Sequence, residues 1–203
     1  MNFVDLAALT IHDVKNRLAI LGSRAEERGD RETMREAHEA AATLTRLLAL
    51  YKAENDGLGI EIEARAPEDL LNELAAEIRQ QDKLPIDVDL STAPTLGFYD
   101  ENLVKMVLLD ALYNALRHAR QQITLRATQD NDWLSFEVRD DGPGYPPAML
   151  GKDAAMAAIS REGTGLGLHL AGKIAALHCN GEVQGEVRLA NENGAVFSLR
   201  LPK

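Results

Sequence analysis

Four short stretches of this sequence carry side chains whose types and spacing could do chemistry. In LTIHDVKNRLAIL (9–21), His12 stands beside Asp13, and Asn16 follows one helical turn later. An imidazole next to a carboxylate is a nucleophile next to a proton acceptor. In LLDALYNALRHA (108–119), Asp110 and Asn114 are four apart and share a helix face. An amide oxygen there can hold Mg²⁺, and a carboxylate one turn earlier can orient a water or a metal ligand. In VRDDGPGY (138–145), Asp140 ends a strand that runs into Gly142 and Gly144. Such an acid can accept a hydrogen bond from an exocyclic amine, while the glycines let backbone approach a flat ring. The same string is also strong turn chemistry, and the two readings stand together at this point. In GTGLGLHLAGKIAALH (163–178), Gly163, Gly165 and Gly167 lead into a helix, whose free N–H groups suit phosphates. This loop lacks the third glycine of a dinucleotide fingerprint and opens no parallel βαβ unit.

These residues need two kinds of scaffold. Residues 1–55 contain no proline. Apolar residues recur there at Ala7, Ile11, Val14, Leu18, Leu21 and Ala25, then at Met34, Ala37, Ala41, Leu44, Leu48 and Tyr51. Alternating spacings of three and four make a heptad seam in each segment. Gly29 ends one helix and Asp30 caps the next, which predicts an antiparallel hairpin. Leu6, Leu9, Ile20, Leu47 and Leu50 widen the stripe beyond what one partner helix covers. A four-helix bundle made by two chains is the simplest way to bury it.

From residue 57 the period changes. IEIEAR (60–65) alternates like a strand, and 67–81 opens with proline and acids as a helix does. PIDVDL (85–90) alternates again, and a long helix is expected from about Asp100 to Ala119. Strands QITLRATQ and WLSFEVRD join across DND, and 142–163 reads as irregular. A helix then runs to about His178, and EVQGEVRLA pairs with AVFSLRL across NENG. The fold class expected is α+β: an N-terminal helical hairpin (1–55), then an α/β sandwich with one mixed sheet (57–203).

Bulk properties narrow the function. The chain has 203 residues, 45% of them hydrophobic, enough for a sizeable core. Its net charge of −10, from 22 basic and 32 acidic residues, argues against nucleic acid as a partner. A nucleotide site is still allowed, since it needs only a local cluster of donors and a cation. The single cysteine, Cys179, forms no internal disulfide, and His178–Cys179 lacks the spacing of a zinc site. Without a run of 18 apolar residues or a signal segment, the expectation is a cytoplasmic protein that does not itself insert into a membrane.

In their order and spacing, the last three stretches resemble the N box and two glycine boxes of the Bergerat-type ATP-binding domain. That domain is shared by sensor histidine kinases, gyrase, Hsp90 and MutL. HDVKN on a helical hairpin resembles the H box of the histidine kinase dimerisation domain, which the other branches lack. The resemblance runs from about residue 3 to residue 201.

It implies an ATP-dependent histidine kinase of a two-component system, with ATP and Mg²⁺ as cofactors. Its partners would be a second copy of itself, a response-regulator receiver domain and, with His12 so near Met1, a separate sensor protein. His12 would be the phosphoacceptor and Asp13 the acid that takes its imidazole proton. Asn16 matches a position that orients water for dephosphorylating the regulator. Asn114 would ligate Mg²⁺, with Asp110 standing where the family has Asn or Glu. Asp140 would bind the adenine amine, Gly142 and Gly144 would bound the adenine pocket, and Arg117 and His118 match a pair near the phosphates. Gly163, Thr164, Gly165, Leu166 and Gly167 would form the phosphate side, under a lid carrying Lys152 and Arg161.

Three departures accompany the resemblance. Arg17 stands where a proline commonly bends the acceptor helix, the stretch between glycine boxes has no phenylalanine, and Tyr145 replaces a common aliphatic residue. The runner-up reading is a dimeric histidine phosphotransfer protein with a weak or vestigial ATP site. A third is a dimeric scaffold that only binds nucleotide.

Overall fold

Helix α1 (Phe3–Glu27) ends where Gly29 adopts a φ of +68°, a conformation that favours glycine. The Asp30 N–H reaches the Ala25 carbonyl at 2.9 Å and the Gly29 N–H reaches Glu26 at 2.9 Å, the paired bonds of a Schellman stop. Asp30 then caps α2 (Arg31–Glu54) by accepting the Thr33 N–H at 3.1 Å and its hydroxyl at 2.7 Å. These caps make the antiparallel hairpin expected from the sequence. The computed structural model describes residues 3–55, 57–82, 84–150 and 166–203, and the chain divides into two compact units, 1–58 and 59–203.

Within a single hairpin the apolar stripe is only partly covered. Ala25, Ala37, Ala49 and Leu50 are buried, whereas Val14, Ile20, Leu21, Leu47 and Tyr51 are exposed.

The second unit is built on a five-stranded sheet of order β2-β4-β5-β9-β8. Its strands are β2 (Ile86–Thr92), β4 (Ile123–Gln129), β5 (Trp133–Asp140), β8 (Glu186–Asn191) and β9 (Ala195–Pro202). β2 and β4 run parallel and the other neighbours antiparallel, so the sheet is mixed as expected. Strand alternation makes it one-sided. Ile123, Leu125 and Ala127 of β4 and Leu134, Phe136 and Val138 of β5 are buried. The helices α3 (Pro67–Gln81), α4 (Glu101–His118) and α5 (Leu166–Leu177) supply Leu70, Leu74, Ile78, Leu108, Leu112 and Ile174 to that core. The other face is polar, with Arg126 at 3.1 Å from Asp89 and Arg200 stacked 4.5 Å from the Trp133 ring centre.

Two strand expectations need correction. Of IEIEAR only β1 (Glu63–Arg65) pairs, and its partner is β3 (Gly97–Tyr99), a strand not anticipated. The two form a separate ribbon, and just ahead of it the Glu61 N–H is taken by the Asp100 carboxylate at 2.9 Å. EVQGEVRLA is two strands rather than one. β7 (Val183–Gln184) folds back on β6 (Cys179–Asn180), and β8 begins after Gly185. A Cβ at Gly185 would lie 2.4 Å from the Ala175 carbonyl, so the chain passes against α5 there and changes sheets. Within the stretch read as irregular, Pro147–Met149 forms one 3₁₀ turn.

Candidate functional site

The α4 helix is the spine of the site. Asp100 caps it by accepting the Leu103 N–H at 3.0 Å, and its own N–H donates to His178 Nε2 at 3.1 Å. Leu103, Val104, Val107, Leu108, Leu112 and Ala115 are buried. The helical period then puts Asp110, Asn114 and Arg117 together on another face. Asp110 and Asn114 are half-buried there, whereas Arg117 and His118 are exposed in the last turn.

Asp110 meets the first turn of α5. A Cβ at Gly167 would fall 1.8 Å from Asp110 Oδ2, so only glycine lets that carboxylate lie against the backbone. Leu166 is half-buried beside it. Lys152, Arg161, Gly163, Thr164 and Gly165 lie outside the described residues.

Asp140 ends β5 in a nest of backbone. Its Oδ1 accepts the Gly142 N–H at 2.8 Å and the Ala195 N–H at 3.3 Å. Two glycines make the nest possible. A Cβ on Gly142 would lie 2.5 Å from the His118 carbonyl and 2.8 Å from Asp140 Oδ1. One on Gly194, at φ +152°, would lie 1.8 Å from the Asp140 carbonyl. Gly142 is therefore packed between the end of α4 and Asp140, which brings these two predicted clusters together. Among the described residues both of these bonds fall on Oδ1, so Oδ2 can accept from an incoming donor.

The next residue works differently. Asp141 accepts the Arg120 N–H at 2.7 Å and the Gln121 N–H at 3.0 Å, fixing the turn from α4 into β4. Those bonds, Gln121's first, hold its carboxyl below the ordinary 3.8. Two adjacent acids thus have separate tasks.

Gly144, at φ +83°, brings the chain against Asn191 at the end of β8. The Asn191 side chain bonds the backbone of Tyr145 at both ends. Asn191 and Gly194 were not picked out from the sequence, where NENG reads only as a turn. The Asn and Gly flanking that turn were the available signal. A cleft of about 170 Å³ lined by Gln122, Thr124, Arg139, Asp140, Asp141, Glu192 and Asn193 lies on the sheet's polar face. It is smaller than the roughly 300 Å³ at which ligand sites begin, and its three acids oppose a polyphosphate.

His12, Asp13 and Asn16 lie in the first unit, on the exposed surface of an unbroken α1. His12 Nδ1 is 3.3 Å from Asn16 Nδ2 and 3.9 Å from Asp13 Oδ1. Both neighbours face the same ring nitrogen. His178 is the opposite kind of histidine: buried, with Nδ1 donating to the Ile174 carbonyl at 2.9 Å and Nε2 accepting from Asp100. With both nitrogens engaged it is a structural residue, and among the described residues no cluster suits a metal through side chains of the His, Cys, Asp or Glu type.

A profile of the Histidine kinase-, DNA gyrase B-, and HSP90-like ATPase family matches residues 99–203, more than half of the chain and all of the α4-to-β9 arrangement above. The chain belongs to this family. Histidine kinases are among the proteins it is similar to. The signal transduction histidine-protein kinase AfsQ2 of Streptomyces coelicolor is 34% identical over 110 residues, which are 51% of this chain and 20% of AfsQ2. The Acinetobacter baumannii histidine kinase AdeS shares the fold at a TM-score of 0.65 and 18% identity, over 94% of this chain and 97% of that one. Full-length ShkA in complex with AMPPNP does so at 0.68 and 21%, over 98% of this chain and 45% of that one. The chain spans about a fifth to a third of the length of the curated relatives it matches. Among the described residues no helix is long and apolar enough to cross a membrane.

Proposed function

We propose that this chain is the core of an ATP-dependent protein histidine kinase of a two-component system, and that it phosphorylates His12. The observation that carries this reading is the Asp140 nest. A carboxylate with one oxygen fixed by two backbone N–H groups, flanked by glycines that admit no side chain, is suited to an exocyclic amine on a flat base. The family resemblance makes that base adenine. Gly142 and Gly144 bound its pocket, and residues 163–167 with Arg117, His118, Lys152 and Arg161 serve the phosphate side.

Asn114, with Asp110 one turn earlier, offers oxygen donors of the kind a hard cation prefers. Asn114 and Asp110 would hold Mg²⁺, which when bound would neutralise charge on the transferring phosphates. His12 Nε2 attacks the γ-phosphorus, the bond from that phosphorus to the β–γ bridging oxygen breaks, and ADP leaves. In the tautomer that leaves Nε2 free to attack, Nδ1 carries the proton and faces Asp13, which takes it. The Asn16 amide can donate to Nδ1 only in the other tautomer. The phosphoryl group then passes to an aspartate of a receiver domain. Asn16, which reaches the same nitrogen, orients water for the reverse task of dephosphorylating that receiver.

The hairpin, residues 1–55, is the dimerisation and phosphotransfer domain, and residues 57–203 bind ATP. The exposed stripe of Val14, Leu21, Leu47 and Tyr51 supports a homodimer closed as a four-helix bundle.

Equilibrium titration with ATP, followed by incubation with ATP labelled on its γ-phosphate, tests the reading. A kinase binds ATP and becomes labelled. A phosphotransfer protein does neither well but accepts phosphate from another kinase, and a scaffold binds without labelling. Either of the last two outcomes contradicts the proposal.

A further inference from the structure

We propose that Asn191 is a positioning residue for the base end of the nucleotide site, holding the Gly144–Tyr145 segment so that Tyr145 is set beside Asp140. This rests on the kinase reading above and adds a residue to it. Asn191 Oδ1 accepts the Tyr145 N–H at 2.7 Å, and Asn191 Nδ2 donates to the Tyr145 carbonyl at 2.9 Å. One side-chain amide thus does for Tyr145 what a neighbouring strand would do, 46 residues away along the chain. Gly144 makes room for it. A Cβ there would lie 2.7 Å from Asn191 Cγ, and the φ of +83° is in any case a glycine conformation.

The contacts close a ring around Asp140. Gly142, two residues before Gly144, donates its N–H to Asp140 Oδ1. Asn191 pairs in the sheet with Ala195, whose N–H goes to the same oxygen. The amide therefore joins two backbone segments that both grip Asp140. Tyr145 belongs to this neighbourhood: burial first and then the Asp140 charge raise its hydroxyl pKa above the ordinary 10.0. Asn191 itself is exposed and fills no core volume, so its removal should disturb the loop rather than the sheet.

The test compares the full chain with Asn191→Ala and Asn191→Asp, measuring ATP and ADP affinity by calorimetry, KM and kcat for labelling, and the melting temperature. Asn191→Ala should weaken ATP and ADP by the same factor, roughly 3- to 30-fold for two lost hydrogen bonds. KM should rise by a similar factor while kcat moves much less, and melting should change little. Asn191→Asp keeps the acceptor for the Tyr145 N–H and loses the donor, so it should fall between the other two. Unchanged affinity in Asn191→Ala overturns the proposal. So does a loss confined to ATP, which would place the effect at the γ-phosphate, or a loss that disappears on cooling along with an unfolding transition. A parent chain that binds neither nucleotide overturns the kinase reading itself, which separates that failure from failure of the Asn191 contact alone.

Discussion

Asp140 and Asp141 are neighbours of one residue type, and backbone geometry separates their roles. Asp141 spends its oxygens on the α4–β4 turn. Asp140 spends one oxygen on Gly142 and Ala195 and can offer the other. In Asp140→Asn a donor amide would face the adenine amine, or else flip away from the Gly142 N–H. Losing a hydrogen bond to a charged acceptor should weaken ATP binding on the order of 10- to 100-fold, read by calorimetry. Asn114→Ala should depress labelling turnover more than ATP affinity, because the charge it helps to neutralise develops in transfer. Two variants that bind and label like the parent would remove both residues from the site. Asp140 at a strand end and the glycines after it were legible in the sequence, although the same string reads equally as turn chemistry. Gly194 was not, since its role is to leave room for a carbonyl from another strand, and that crowding exists only once β5 and β9 pair.

Helix α4 is held at its start by a junction of three segments. The Asp100 carboxylate caps the helix and takes the Glu61 N–H, while its backbone N–H donates to His178 at the end of α5. Burial lowers the His178 pKa from the ordinary 6.5, outweighing the Ile174 hydrogen bond and the Asp100 charge that favour the proton. The unfolded chain therefore gains a proton near pH 6.5 that the folded chain refuses. Stability is full above that pH and declines as pH falls below it, by at most about 1.4 kcal/mol per pH unit for one site. The carboxyls of Asp30, Asp89, Asp130 and Asp141, all lowered from 3.8, contribute only in a more acid window. Denaturation at a series of pH values should show the loss near pH 6, and His178→Gln should flatten it; an unchanged slope in that variant would assign it elsewhere. Helix periods and caps in the sequence foretold α1 to α5 closely. Short strands were harder. β3 is three residues long, and what marks it is Gly97 meeting Leu134, with Tyr99 buried edge-on to Phe136, both long-range facts.

At the scale of the molecule, two units answer to two patterns in the sequence, a heptad seam and then alternation mixed with helices. The seam predicts more burial than one hairpin provides, since Val14 and Leu21 are exposed in a single chain. Light scattering at micromolar concentration should therefore report a dimer. Leu18→Glu with Leu44→Glu should shift it to monomer, at a cost of roughly 3–5 kcal/mol if the charges are buried unpaired; a monomeric parent would refute the bundle. The family relation covers residues 99–203 of the second unit, whereas the role of the hairpin hangs on one histidine with Asp13 and Asn16 at its Nδ1. The decisive measurement is the position of the label after incubation with γ-phosphate-labelled ATP, mapped by mass spectrometry with acid and alkali stability as controls. An acid-labile, alkali-stable phosphate on His12, lost in His12→Gln while ATP affinity is kept, is the predicted result. Label that persists in His12→Gln, or that maps to His38, His118, His169 or His178, would contradict it.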